Sequence, residues 1–138
     1  MIDSFNDKHR FLSNFSVSHV KLGGITYPTV EHAYQAAKTL DKTERLRIQR
    51  AAGPGRAKRL GRGVTLRPDW EGTKLRIMLN LLRQKFQFPK LRDLLLATEN
   101  QELIEGNHWG DTFWGVCQGE GENHLGKLLM QVRDELRR

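Results

Sequence analysis

Two carboxylates and one glycine-rich loop are the parts of this 138-residue chain that could do chemistry. Glu31 falls in the first turn of a predicted helix, just after Tyr27-Pro-Thr-Val30. An acid there meets the positive end of the helix dipole, worth about 0.3–1 kcal/mol, which alone would account for it. Spacing alone favours that reading of Glu31. Asp111 lies in His108-Trp-Gly-Asp-Thr-Phe-Trp-Gly115, a loop dense in aromatics and glycine. Trp109, Phe113 and Trp114 could wall a site on which a base stacks, at ~1–3 kcal/mol per base, or could anchor a long loop in the core. The stretch Trp114-Gly-Val-Cys-Gln-Gly-Glu-Gly-Glu-Asn-His-Leu-Gly126 runs a glycine-rich loop into a helix. Backbone N–H groups at such a helix start suit an anion such as phosphate. Asn123 stands at the N-cap position, where capping is a sufficient role and holding a ribose hydroxyl or phosphate is the functional one. Gly119 and Gly121 match only part of GxGxxG, with no βαβ unit around them, so a Rossmann reading is weak. There is no Walker A motif, HExxH or nucleophile elbow.

The elements that must position these residues can be read from periodicity and punctuation. Val17–Leu22, Gly23-Gly24 and Ile25–Tyr27 read as a hairpin. Thr29 is a good N-cap for a helix from Val30 to Leu40. Its apolar stripe is Val30, Ala33, Ala37 and Leu40, with Glu31, Gln35 and Lys38 on another face beside Tyr34. Asp41 with Glu44 resembles a capping box opening a second helix to about Ala52. Arg56–Arg62 could form a short basic helix. Asp69 is a plausible cap for a long helix from Trp70 to about Gln87, with Ile77, Met78, Leu81, Leu82 and Phe86 as its core face. Leu91–Ala97 and Asn123–Arg138 complete the helices, the last burying Leu125, Leu128, Leu129, Val132 and Leu136. Thr98–Ile104 is ambiguous, a short extended piece at most. The expected fold is mainly α, one domain over residues 1–138 with a small N-terminal β-hairpin.

Composition bounds the function. Hydrophobic content of 38% and charged content of 28% are those of a soluble globular protein. No apolar run reaches membrane-spanning length, and no basic-then-apolar leader opens the chain, so the expected compartment is cytoplasmic and no membrane is engaged. One cysteine, Cys117, excludes an intrachain disulfide, and the five histidines show no zinc-ligand spacing, so no metal is expected. The net charge of +7 is unevenly spread: Lys38–Arg92 holds 16 Lys/Arg against 4 Asp/Glu. A basic middle suits polyanions, although solvated basic helix faces are common.

Several blocks, in order, resemble one family. Phe11-Leu-Ser-Asn-Phe15 and Tyr27-Pro-Thr-Val-Glu-His-Ala-Tyr-Gln-Ala-Ala-Lys38 look like the first signature of the NADAR family of YbiA-like N-glycosidases. Trp70-Glu-Gly-Thr-Lys74 with Lys85-Phe86 looks like its central block. Leu94–Thr98, Leu103-Ile-Glu105, Asp111–Gly115 and Gly121–Met130 look like its last blocks. The resemblance implies a mainly helical, single-domain YbiA-like fold with no cofactor. It implies a hydrolase that cleaves a ribosyl C1–N bond. The substrate is either ADP-ribosylated guanine in DNA, where the enzyme works as an antitoxin to a cognate ADP-ribosyltransferase toxin, or a phosphoribosylated riboflavin-biosynthesis intermediate. The other readings are a non-catalytic ADP-ribose or NAD binder and a helical nucleic-acid-binding protein whose basic helices do the work. Carried over residue by residue, Glu31 becomes the carboxylate at C1, and Asp111 a partner for water, a ribose hydroxyl or the leaving base. Trp70 and Trp114 become stacking walls. Asn14, Phe15, Lys38, Lys74 and Asn123 become ligand contacts, with the Gly119, Gly121 and Asn123 backbone cradling phosphate. One departure stands out: Glu120 and Glu122 alternate with those glycines where some relatives carry lysines.

Overall fold

The structure is a computed structural model that describes residues 1–138. The fold is mainly α and packs as two compact units, Asn14–Lys85 and Met1–Ser13 with Phe86–Arg138.

In the first unit, β1 (Val17–Leu22) and β2 (Ile25–Thr29) pair antiparallel, with Leu22 opposite Ile25. Gly23 and Gly24 form the two-residue turn at φ 56° and 81°, the left-handed geometry that makes glycine the natural choice. β2 runs directly into α1 (Val30–Ala37), which packs against β1, β2, α2 (Lys42–Gln49), α3 (Pro54–Gly61) and α4 (Trp70–Lys85). A helix enclosed on all sides explains its small residues: Ala33, Ala36 and Ala37 let five neighbouring elements approach. Enclosure also explains a difference from the periodicity reading. Glu31, His32 and Gln35 are as buried as the apolar stripe, so α1 has no solvated face.

The helix boundaries differ from expectation in instructive ways. α1 stops at Ala37, and Leu40 is 64% exposed instead of belonging to the core stripe. Buried Thr39 stops it: its Oγ1 accepts the Asp41 N–H at 3.0 Å and donates to Glu44 Oε1. Only half of the expected capping box forms. Asp41 Oδ1 accepts the Glu44 N–H at 2.9 Å, while the Glu44 carboxylate turns to Thr39 and Thr65. Asp69 pairs with Arg67 at 2.7 Å at the start of α4.

In the second unit, a 3-10 helix (Asp7–Leu12) packs against α5 (Pro89–Leu96), and α5 against α6 (His124–Leu136). Ile2 bridges Leu103 in parallel, so the ambiguous Thr98–Ile104 stretch is extended only near its end. β3 (Gly106–Asn107) and β4 (Val116–Cys117) form a two-residue parallel pair. Leu125, Leu129 and Val132 are buried as expected, whereas Leu128 and Leu136 are half-exposed. Arg133 is buried on the same helix. Its Nη1 donates to Thr98 Oγ1 and to the Gln101 carbonyl, both at 2.9 Å, tying α6 to the turn after α5.

Candidate active site

Thr29 starts α1. It is extended (φ −143°, ψ 161°), and its Oγ1 accepts the His32 N–H at 3.0 Å. The Glu31 N–H donates to the Asn14 carbonyl at 3.1 Å, which fixes where its side chain leaves the helix. That side chain is not a solvated dipole partner: Glu31 is 7% exposed. Desolvating a carboxylate costs several kcal/mol, more than the ~1 kcal/mol a helix dipole returns, so its placement needs other stabilising groups.

Those groups are present. Gln35, one turn on, donates from Nε2 to Glu31 Oε2 at 2.6 Å. Lys38, another turn minus a residue, feels the Glu31 charge and those of Lys58, Arg62 and Lys74. Burial lowers the Lys38 pKa first, Glu31 opposes this, and the three neighbouring cations reinforce it. Glu31, Tyr34, Gln35 and Lys38 therefore share one stripe of α1 at helical spacing. The Tyr34 ring lies 5.8 Å from Lys38 Nζ and packs on the Trp70 ring with centroids 5.2 Å apart. Lys74 sits one turn beyond Trp70 and pairs with Glu71 at 2.7 Å. Gly61 brings α3 against this stripe, since a Cβ there would strike Gln35 Oε1. The buried Glu31 carboxylate thus has Gln35 as its donor and Lys38 as a nearby cation, and Lys38 in turn feels Lys58, Arg62 and Lys74.

The 14–16 segment holds further candidate residues of this unit. Asn14 is buried, with Nδ2 3.6 Å from Met78 Sδ, and its Oδ1 finds no protein donor, as is also true of Gln35 Oε1. Phe15 is half-buried beside it. Lys85 is fully buried, and its Nζ donates to Ser16 Oγ at 3.0 Å. The sequence offered only a motif match for Lys85. Nothing local marks a lysine as a core residue.

The other unit holds the remaining site residues. Asp111 organises its loop: Oδ1 accepts the N–H groups of Phe113 at 3.1 Å and Trp114 at 2.9 Å, leaving Oδ2 open. Asn107 clasps the same residue, accepting the Asp111 N–H at 3.1 Å and donating to its carbonyl at 2.9 Å. The Trp114 ring meets Phe113 edge-on at 4.9 Å, Phe113 covers His124 at 4.4 Å, and Trp109 projects outward, 54% exposed.

The glycine loop is built by its own backbone. Cys117 and Glu120 exchange both backbone hydrogen bonds across Gln118-Gly119, at φ 53° and 80°, a tight hairpin turn. Gly121, at φ 149°, lies where a Cβ would strike the Gly115 carbonyl. The N–H groups of Glu122, Asn123, His124 and Leu125 donate to the carbonyls of Thr112, Gly115, Phe113 and Trp114. The expected phosphate cradle is thereby reduced, because the helix-start donors already serve the preceding loop. Asn123 also departs from the N-cap reading. It is left-handed (φ 54°, ψ 41°), and its side chain does not cap α6. Its Oδ1 accepts the Glu105 N–H at 2.9 Å and its Nδ2 donates to the Leu103 carbonyl at 3.0 Å. Glu120 and Glu122 are exposed, with Glu122 3.5 Å from His124.

The structure therefore gathers Asn14, Phe15, Glu31, Lys38, Trp70 and Lys74 in the Asn14–Lys85 unit. It places Asp111, Trp114, Gly119, Gly121 and Asn123 in the other. The sequence missed Lys58 and Arg62, which reach Lys38 only because α3 packs on α1.

Known proteins are similar to this chain along almost its whole length. N-glycosidase YbiA of Escherichia coli is 42% identical over 137 residues, covering 96% of this chain and 85% of that protein. A riboflavin biosynthesis protein of Vibrio vulnificus is 38% identical over 95% of this chain, which spans 36% of its length. The NMR structure of E. coli YbiA matches with a TM-score of 0.86 at 41% identity, covering 99% of this chain and 84% of that one. Residues 3–137 match the NADAR domain, and the chain belongs to that family.

Proposed function

We propose that this chain is an N-glycosidase that hydrolyses a ribosyl C1–N bond, releasing ADP-ribose from ADP-ribosylated guanine in DNA. The observation that carries the proposal is the buried Glu31 carboxylate, held by Gln35 and facing the charge of Lys38, which itself lies within reach of Lys58, Arg62 and Lys74. Breaking a ribosyl C–N bond builds positive charge at C1, which a fixed carboxylate stabilises. Glu31 also takes a proton from the water that attacks C1, guanine departs with the bonding pair, and that one proton passes through solvent to the departing nitrogen, returning Glu31 to its carboxylate form. The four cations suit a pyrophosphate, and the Tyr34–Trp70 pair offers an aromatic face to a base. Asn14 Oδ1 and Gln35 Oε1 are buried acceptors that ribose hydroxyls could satisfy. In the other unit, Asp111 keeps Oδ2 available to a hydroxyl or water, its Oδ1 being committed to the loop. The DNA preference rests on charge: the Asn14–Lys85 unit carries 15 Lys/Arg against 5 Asp/Glu. A cognate toxin would be the transferase that installs the substrate group.

A second reading has its own support. The Vibrio vulnificus relative is named for riboflavin biosynthesis, and a phosphoribosylated pyrimidine amine presents the same C1–N bond with one phosphate. Offering both substrates in parallel and measuring release of the ribose product separates the two. Turnover of the ADP-ribosylated oligonucleotide at least tenfold faster supports the DNA reading. The reverse preference replaces it.

A further inference from the structure

A separate groove lies between α2 and α3, lined by Glu44, Arg47, Ile48, Arg59, Leu60, Gly63 and Val64, with a volume of about 210 Å³. Its mouth is cationic and its floor apolar. Arg47 and Arg59 are exposed and form no ion pair, as are Arg50, Arg56 and Arg62 around them. Glu44 is the one carboxylate in the groove. It already accepts the Thr65 N–H at 3.1 Å, along with hydroxyls from Thr39 and Thr65. Arg47, Arg56 and Arg59 on the two short helices, with Arg50 and Arg62 at their C-caps, repel one another, a cost that an incoming polyanion removes. The planar guanidinium matches phosphate oxygens in pairs. The apolar floor of Ile48 and Leu60 suits the sugar and base between phosphates.

The position of the groove matters. α3 presents Lys58 and Arg62 to Lys38 in the glycosidic site, while Arg59 and Leu60 line the groove against α2. One helix, about 10–12 Å across with its side chains, thus separates the two. The two sites share α3 and the charge of Arg62 that follows it, while the residues lining the groove are distinct from those around Glu31.

We infer that the α2–α3 groove, gated by Arg47 and Arg59, is a binding site for the phosphodiester backbone of a single-stranded nucleic acid flanking the modified nucleotide. The inference rests on the DNA reading above for its biological sense, but its test does not. The probe is an unmodified, fluorescein-labelled 20-nucleotide single strand, titrated by anisotropy at several salt concentrations. Arg47→Ser/Arg59→Ser is compared with wild type and with Lys90→Ser/Lys127→Ser, which removes the same charge from exposed positions in the other unit. Retained thermal transitions show that each variant is folded. The groove variant is expected to bind at least tenfold more weakly, and its slope of log K against log salt should shrink by roughly 1.4, about 0.7 per lost contact. The Lys90→Ser/Lys127→Ser variant should stay within about twofold of wild type. No strand binding by wild type, equal binding by the groove variant, or equal loss in both variants overturns the inference. Cleavage of ADP-ribosylated guanine by wild type with unchanged strand binding in the groove variant would sink the groove alone. Groove-dependent binding without such cleavage would sink the DNA reading alone.

Discussion

Gln35 donates a 2.6 Å hydrogen bond to Glu31 across one turn of a helix that has no solvent face. The pair is positioned by α3, because Gly61 is the only residue type that leaves room for the Gln35 amide. Gly61→Ala should therefore act at a distance from the chemistry. Overpacking of this kind costs about 1–3 kcal/mol. Turnover should fall at least tenfold with the fold retained, as Gln35 is pushed off the carboxylate. Denaturant melts and steady-state kinetics check both numbers, and unchanged turnover would detach Gln35 from the mechanism.

Asp111 can be divided between two roles by choice of substitution. Asp111→Asn keeps an acceptor for the Phe113 and Trp114 N–H groups, so its melting temperature should stay near wild type. Asp111→Ala removes it and should cost about 1–2 kcal/mol. If Oδ2 serves a ribose hydroxyl or water, Asn lowers turnover at least tenfold despite a preserved fold. A wild-type rate in Asp111→Asn leaves Asp111 as a loop clasp only.

Asn123 should matter for stability. Asn123→Ala leaves the Glu105 N–H and the Leu103 carbonyl without side-chain partners and forces alanine into a left-handed backbone. Two such losses sum to about 2–4 kcal/mol. Urea denaturation measures this. A stable variant that loses only ADP-ribose affinity would restore the ligand-contact role instead.

These cases show what local sequence can and cannot reveal. The hairpin turn at Gly23-Gly24, the Thr29 cap and the Glu31–Gln35 spacing were legible because each is decided within four residues. The glycine loop suggested an anion site, yet Gly119 serves a tight turn and Gly121 a close backbone approach to Gly115. Asn123 looked like a cap because its true partners, Leu103 and Glu105, lie about twenty residues upstream. Lys85, the Ile2–Leu103 bridge and the cations on α3 are likewise settled by packing, which no periodicity encodes.

His32 gives the fold an acid-sensitive joint. Nε2 meets the Ala51 carbonyl at 3.2 Å and Nδ1 meets Thr29 Oγ1 at 2.7 Å, linking the start of α1 to the end of α2. Burial lowers its pKa, with the Ala51 contact opposing, so the folded state favours the neutral ring. Its stabilising contribution is then complete above the unfolded value of about 6.5 and is lost as pH falls from there toward the folded pKa. Urea midpoints at about pH 7.5 and about pH 5.5 should show wild type losing stability and His32→Gln losing less. Equal losses would place the acid sensitivity elsewhere.

The central claim is that the Glu31 carboxylate acts at C1. Glu31→Gln keeps the shape and the burial but removes the charge. It should bind ADP-ribose within about threefold of wild type, measured by calorimetry, and release guanine-linked ADP-ribose at least 100-fold more slowly, in line with the ~10²–10⁴ a positioned acid–base group supplies. Wild-type turnover by Glu31→Gln on the ADP-ribosylated oligonucleotide would contradict it.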